Sequence, residues 1–317
     1  MNIFKHFVFI AVFSLIFLSA ASANQNEWGW KDVDATFTTG IKSGHITFKI
    51  GGFISNGQTI GKAHFPISEL IFPRNYKTAQ FSLTLKGHNN WDVLFELETN
   101  LSKDAGLLED RDWLSPDSLD IYSDTKTSVS AQEVLLEISN KLDPIELSTN
   151  LGVINNRFGF GLLGQFYDYR GYDTIQSYPS SPMPAISIEG DTIKFKFSQI
   201  TPFASYQVSH HISKSVRLDS KFRLSPFMFA KDEDHHLLRD KSSQSNTRGW
   251  FFDSSISMHW SVNQALGVYT QISYQLFESS GEQTQKNEAD SEAKDLQVKV
   301  KHLGQQTNLK VGLNFQF

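Results

Sequence analysis

Apolar and polar residues alternate with a period of two along most of this chain. Val93, Phe95, Leu97, Thr99 and Leu101 interleave with Asp92, Glu96, Glu98 and Asn100. Val134, Leu136 and Ile138 alternate with Glu133, Glu137 and Ser139, and Val216, Leu218, Phe222 and Leu224 with Arg217, Asp219, Lys221 and Arg223. Leu266, Val268, Ile272, Tyr274 and Leu276 repeat the pattern, and the chain ends on Leu309, Val311, Leu313, Phe315 and Phe317. Side chains of an extended strand point alternately to its two faces, so each run predicts a strand with one apolar and one polar face.

About ten strands result, near 32–50, 62–86, 92–102, 131–143, 145–162, 185–208, 215–230, 249–261, 265–278 and 296–317. The connections 51–60, 103–130, 163–184, 231–248 and 279–295 are long and polar, and each follows an odd-numbered strand. They therefore share one end of the sheet, and the short joints near 87–91, 143–144, 211–214 and 263–264 share the other. Parity slips once in the last strand, where Leu296, Val298 and Val300 are even and Leu309 onward odd. That slip predicts a bulge or a turn near Gly304–Thr307.

Two architectures satisfy such alternation. In a soluble sandwich the apolar faces form the core; in a membrane barrel they meet lipid and the polar faces line the lumen. The terminal Phe317, the alternation of short and long joints, and both signs of charge at regular positions on the polar face favour an all-β, antiparallel transmembrane β-barrel. Composition agrees: hydrophobic residues make up 39% of the chain, yet aromatic ones reach 13%, with 26 Phe. Trp28, Trp30, Trp91, Trp250 and Trp260 fall near strand ends and suit an interfacial aromatic belt. Arg217, Asp219, Lys221 and Arg223, set against Glu96, Glu98, Glu133 and Glu137, would form a charged lumen network. Residues 1–23 read as a secretory signal peptide: Lys5 and His6, an apolar run from Phe7 to Leu18, and a small-residue ending Ala21-Ser22-Ala23. Residues 24–317 then form a single barrel domain in the bacterial outer membrane. The absence of cysteine excludes disulfides, thiol catalysis and thiolate metal sites. A net charge of -5 gives no sign of nucleic-acid binding.

Candidate chemistry sits in two acidic stretches, Asp110-Arg111-Asp112-Trp113 and Asp232-Glu233-Asp234-His235-His236. In extended backbone Asp110 and Asp112 share a face, as do Asp234 and His236. An imidazole held by a carboxylate, opposite two more carboxylates, can activate a water for attack on a peptide bond. The first stretch follows the third strand and the second the seventh, so both lie in connections at one end and face each other across the mouth. His235, between the matched positions, would face away. Chelation of a divalent ion by Asp232, Asp234, His235 and His236 is a competing use. Ordinary solvated surface charge is another.

These motifs give the chain a resemblance to the omptin family of outer-membrane proteases. Ser68-Glu69-Leu70, Asn90-Trp91-Asp92, Asp110-x-Asp112-Trp113 and Asp232-x-Asp234-x-His236 stand in the family's order at compatible spacing. The resemblance implies an endopeptidase with Asp110, Asp112, Asp234 and His236 as catalytic residues, acting on peptide or protein substrates as a monomer. It implies that Asp232 receives a basic substrate side chain, although Phe48 stands where the family's second pocket acid aligns. It implies no metal or organic cofactor, but lipopolysaccharide as an activator gripped on the outer wall, with Arg157 as the matching residue beside Val153 and Asn155. The alternative is a non-enzymatic barrel of the same shape, a narrow porin or a surface-binding protein.

Overall fold

The computed structural model describes residues 30–55, 60–87, 90–146, 153–238, 240–288 and 295–317. The expected signal peptide, Trp28 and residues 147–152 of the expected fifth strand lie outside them. The strands are β1 (Trp30–Ser55), β2 (Ile60–Lys62), β3 (Ser68–Pro73), β4 (Tyr76–Gly87), β5 (Trp91–Asn100), β6 (Asp104–Asp112), β7 (Ile121–Lys141), β8 (Ile145–Glu146), β9 (Val153–Ser177), β10 (Ile186–His211), β11 (Val216–His236), β12 (Lys241–Ser261), β13 (Leu266–Asn287) and β14 (Leu296–Gln316).

All pairings are antiparallel. The ladder runs β1–β4–β5–β7–β9–β10–β11–β12–β13–β14 and returns from β14 to β1, so the sheet closes on itself. β3 and β6 extend β4 and β5 beyond short breaks, pairing with each other, with β1 and with β7. Counted this way the described residues form ten staves, as the alternation predicted. Closure leaves no open edge among the described staves, as a hydrocarbon environment requires.

The staves are longer than expected at the end that carries the long connections. β9 runs to Ser177, β11 to His236 and β13 to Asn287, where the alternation ended near 162, 230 and 278. The connections there shrink to 113–120, 178–185, 237–240 and 288–295. Physically, about 9–11 residues cross the hydrocarbon layer, whereas β10 has 26. Beyond the lipid both faces meet water, the apolar–polar contrast fades, and the ladder continues without a sequence signal.

Outward side chains form an apolar band: Phe37, Ile41, Leu136, Phe160, Leu162, Leu224, Ile272, Leu309 and Val311 are all exposed. The interior has two zones. Towards the short turns it is charged. Glu137 meets Lys221 Nζ at 2.7 Å and Arg223 Nε at 3.4 Å, Arg223 also reaches Asp253 at 3.2 Å, and Lys310 reaches Glu98 at 2.6 Å. Lys42 bridges Glu98 and Glu133. The expected lumen network is thus present. Above it the bore is closed by buried rings: Phe72 stacks on Phe195 with centroids 4.0 Å apart, Phe197 on Phe277 at 5.8 Å, and Phe48 on His302 at 5.0 Å.

This inner apolar layer corrects the expected break in the last strand. β14 pairs without any register shift against β13 from Leu296 to Phe315. Its even residues from Val298 to Asn308 face inward; Val298 and Val300 are buried and apolar, while Leu309, Val311 and Leu313 face lipid. Gly304 marks no bulge. It pairs directly with Phe277, whose ring lies across the space a Cβ would fill, 2.0 Å from it.

A bulge does occur in β11. The register slips by one residue between Ser225 and Met228 against β12, and between Ile200 and Ala204 against β11 from the other side. Before it the odd residues Asp219 and Ser225 face inward; after it the even residues Met228, Ala230, Asp232 and Asp234 do. Pro226 occupies the bulge, and Ser225 Oγ accepts the Phe227 amide at 3.1 Å. Because one residue of slip reverses every side chain beyond it, this bulge turns Asp234 and His236 into the barrel.

Candidate active site

Asp110 and Asp112 lie on the last residues of β6, and Asp234 and His236 on the last residues of β11. They are strand residues, not loop residues as the alternation implied. Neighbouring ladders fix them: Asp110 is opposite Leu70 and Ser123, Asp112 opposite Ser68 and Ile121, Asp234 opposite Phe195 and Ser243, and His236 opposite Ile193 and Lys241. Around the ring, β7, β9 and β10 separate the two pairs on one side, with β3, β1, β14, β13 and β12 on the other. All four side chains line a single cleft of about 640 Å³, together with Phe48, Ile50, Ile67, Leu70, Trp113 and Lys241. The two distant stretches therefore converge.

His236 Nε2 lies 2.9 Å from Asp234 Oδ2. Asp234 is buried and His236 partly exposed. A neutral imidazole that donates from Nε2 carries its lone pair on Nδ1, so the carboxylate sets the tautomer. Asp234 Oδ1 accepts no hydrogen bond among the described residues. His235 points out of the barrel, exposed, beside the outer Lys231–Glu233 pair at 2.7 Å. Asp232 is buried below. Asp232, Asp234, His235 and His236 are therefore split between the two faces of β11 and cannot meet at one ion.

Asp232 is not among the residues lining the cleft. Its Oδ2 accepts a hydrogen bond from Ser245 Oγ, and His302 Nε2 lies 3.0 Å from it with both side chains fully buried. His302 Nδ1 lies 3.2 Å from the hydroxyls of Thr247 and Ser279. His302 carried no motif in the sequence. The available signal was its even parity in the last strand, shared with Val298 and Val300.

The expectation for Arg157 needs correction. It lies near the start of β9, opposite Lys141 and Gln207, and its guanidinium pairs with the buried Asp92. It points into the charged lumen at the short-turn end, not out towards lipid at the other. The cause is the stave's true span, 153–177 where 145–162 was expected, which moves residue 157 from one end to the other.

Next to the cleft, the connection 113–120 is tied down from both ends. Asp120 Oδ2 accepts the Leu114 amide at 2.8 Å, and Asp120 Oδ1 accepts the Ser180 hydroxyl at 2.6 Å. The Ser180 hydroxyl, then the Leu114 amide, hold this carboxyl below the usual aspartate range. Trp113 is anchored by its amide to the Ile67 carbonyl at 2.9 Å.

Comparison with known proteins agrees with this layout. A profile of the Omptin family matches residues 70–317, which includes all four converging residues. The plasminogen activator of Yersinia pestis is 22% identical over 258 residues, covering 75% of this chain and 80% of that protein. The crystal structure of the outer-membrane protease OmpT from Escherichia coli superposes with a TM-score of 0.76 at 14% identity, over 93% of this chain and 100% of that one. The described fold, the closed ring of staves and the matched span together make this chain an outer-membrane β-barrel of the omptin family.

Proposed function

We propose that this barrel is an endopeptidase that hydrolyses peptide bonds by direct attack of water at its loop-bearing mouth, which faces the exterior of the cell. The observation that carries the reading is the convergence of Asp110, Asp112, Asp234 and His236 on one cleft, with His236 held by Asp234. Water held against Asp110 and Asp112 loses a proton to His236 Nδ1 as its oxygen attacks the carbonyl carbon. Asp234 stabilises the imidazolium that forms. The imidazolium then returns its proton to the leaving amine as the C–N bond breaks. Chemistry of this kind needs neither a covalent intermediate nor a metal or organic cofactor. The protein works as a monomer, with lipopolysaccharide as the surrounding lipid and activator; Arg157 has no part in holding that lipid.

Family membership supports the protease reading, since the relatives compared above are named as a plasminogen activator and as an outer-membrane protease. The layer of stacked rings across the bore argues against a porin. The test is cleavage of unstructured peptides by purified barrel in lipopolysaccharide-containing micelles. Cleavage that His236→Ala abolishes is expected. Conductance in planar bilayers without cleavage would overturn the proposal.

A further inference from the structure

One wall of the cleft is apolar, and the reason lies one layer down. Phe48, Ile50 and Leu70 line this side. Phe48 is directly opposite His302 and Leu70 in the ladder, and its ring lies over His302 and 5.8 Å from that of Phe195. Phe195 in turn is opposite Asp234. The floor beside Asp234 is therefore aromatic. Beneath it lies Asp232, a carboxylate that the next inward position of β11 would otherwise offer to the cleft. It is sealed by burial: Oδ2 accepts from Ser245 and lies 3.0 Å from His302 Nε2, and Oδ1 has no partner among the described residues.

A cationic substrate side chain entering here would lose its hydration against Phe48 and Leu70; Asp232 lies buried against His302, and the carboxylates that do line the cleft, Asp110, Asp112 and Asp234, are engaged with the water and the imidazole. Burying a charge without a partner is strongly unfavourable, while an apolar or aromatic side chain gains from leaving water and from ring contacts.

We propose that Phe48, resting on the His302–Asp232 pair, makes the subsite beside the scissile bond selective for apolar and aromatic side chains over arginine and lysine. The inference rests on the protease reading above and names the substrate class of that same site. Phe48 is the specificity-determining residue, and His302 the positioning residue that keeps Asp232 out of the cleft.

The test is a peptide library in lipopolysaccharide-containing micelles, with products read by mass spectrometry. Wild type should cleave at phenylalanine or leucine at least about tenfold faster than at arginine, the scale on which subsite contacts discriminate. Phe48→Leu should keep that order. Phe48→Glu, which puts a carboxylate on the floor, should reduce or reverse it. A second measurement separates failure of this inference from failure of the protease reading. Fluorescein-labelled peptides with a reduced, uncleavable bond, carrying phenylalanine or arginine at the central position, are titrated into the same proteins. If nothing is cleaved but the phenylalanine peptide binds about tenfold tighter, the enzyme reading falls and the subsite stands. Preference of wild type for arginine, in cleavage or in binding, overturns the inference, as does equal handling of the two peptides.

Discussion

Asp234→Asn isolates the electrostatic part of the proposed mechanism. The amide keeps the size of the carboxylate and can still accept a hydrogen bond from His236 Nε2, which now lies 2.9 Å from Asp234 Oδ2. What it removes is the negative charge that favours the imidazolium. With charge centres about 4 Å apart, the interaction is about 4 kcal/mol at an effective dielectric constant near 20. His236 retains 24% exposure, so solvent screening brings the expected range down to about 2–4 kcal/mol. Spread over the transition state, that is a fall in kcat of about 30- to 1000-fold. The assay is steady-state cleavage of a quenched fluorescent peptide, with folding verified by heat-dependent migration on gels. KM should change little, because the lost interaction forms as the proton moves. An Asp234→Asn barrel that is folded and keeps more than a tenth of the wild-type kcat, about 1.4 kcal/mol of loss at most, refutes the role given to this carboxylate.

Three further outcomes follow from the packing. Glu137→Ala leaves Lys221 and Arg223 buried without their shared partner; a loss of about 3–5 kcal/mol is expected, read as a lower urea midpoint in micelles, and an unchanged midpoint would contradict the network. Gly304→Ala must displace the Phe277 ring, at a cost of about 1–3 kcal/mol, whereas a bulge at Gly304 would have accepted alanine freely. Asp120 has a folded pKa below its unfolded value, so its tie to Ser180 and Leu114 stabilises the mouth above pH about 4 and is lost as the pH falls through the depressed value. Pepsin nicking of the 113–120 connection should therefore rise on acidification towards pH about 2, and Asp120→Asn should nick readily even at pH about 4 and lose that dependence.

The sequence exposed the barrel where water and lipid demand opposite faces. The dyads of 93–101, 134–138 and 266–276 mark staves because one face meets hydrocarbon and the other the wet lumen. Above the lipid that contrast disappears, so the upper parts of β6, β9 and β11 resemble loops in the sequence although their ladders continue. The same loss of contrast hid the aromatic layer. Val298 and Val300 face inward, where the alternation predicts polar residues, so their parity imitates a bulge. The bulge that does exist, at Pro226 and Phe227, was legible in principle. Arg217 to Arg223 and Asp232 to His236 have opposite parity on one stave, and both must face inward. For the site, the spacing within each acidic pair was sufficient, since residues two apart share a face. Strand counting then brought the pairs together. The sealing of Asp232 was not legible, because it depends on His302, about seventy positions away and joined to Asp232 only by the closed fold.

The central claim is that carboxylates on β6 and the imidazole on β11 act on one water. A double-mutant cycle between Asp112→Asn and His236→Gln tests it most directly. Groups that serve a single step are strongly non-additive. The double variant should therefore be no slower than the worse single variant. Losses that instead multiply, or an Asp112→Asn barrel with wild-type kcat, would contradict a shared water and separate the two walls of the cleft.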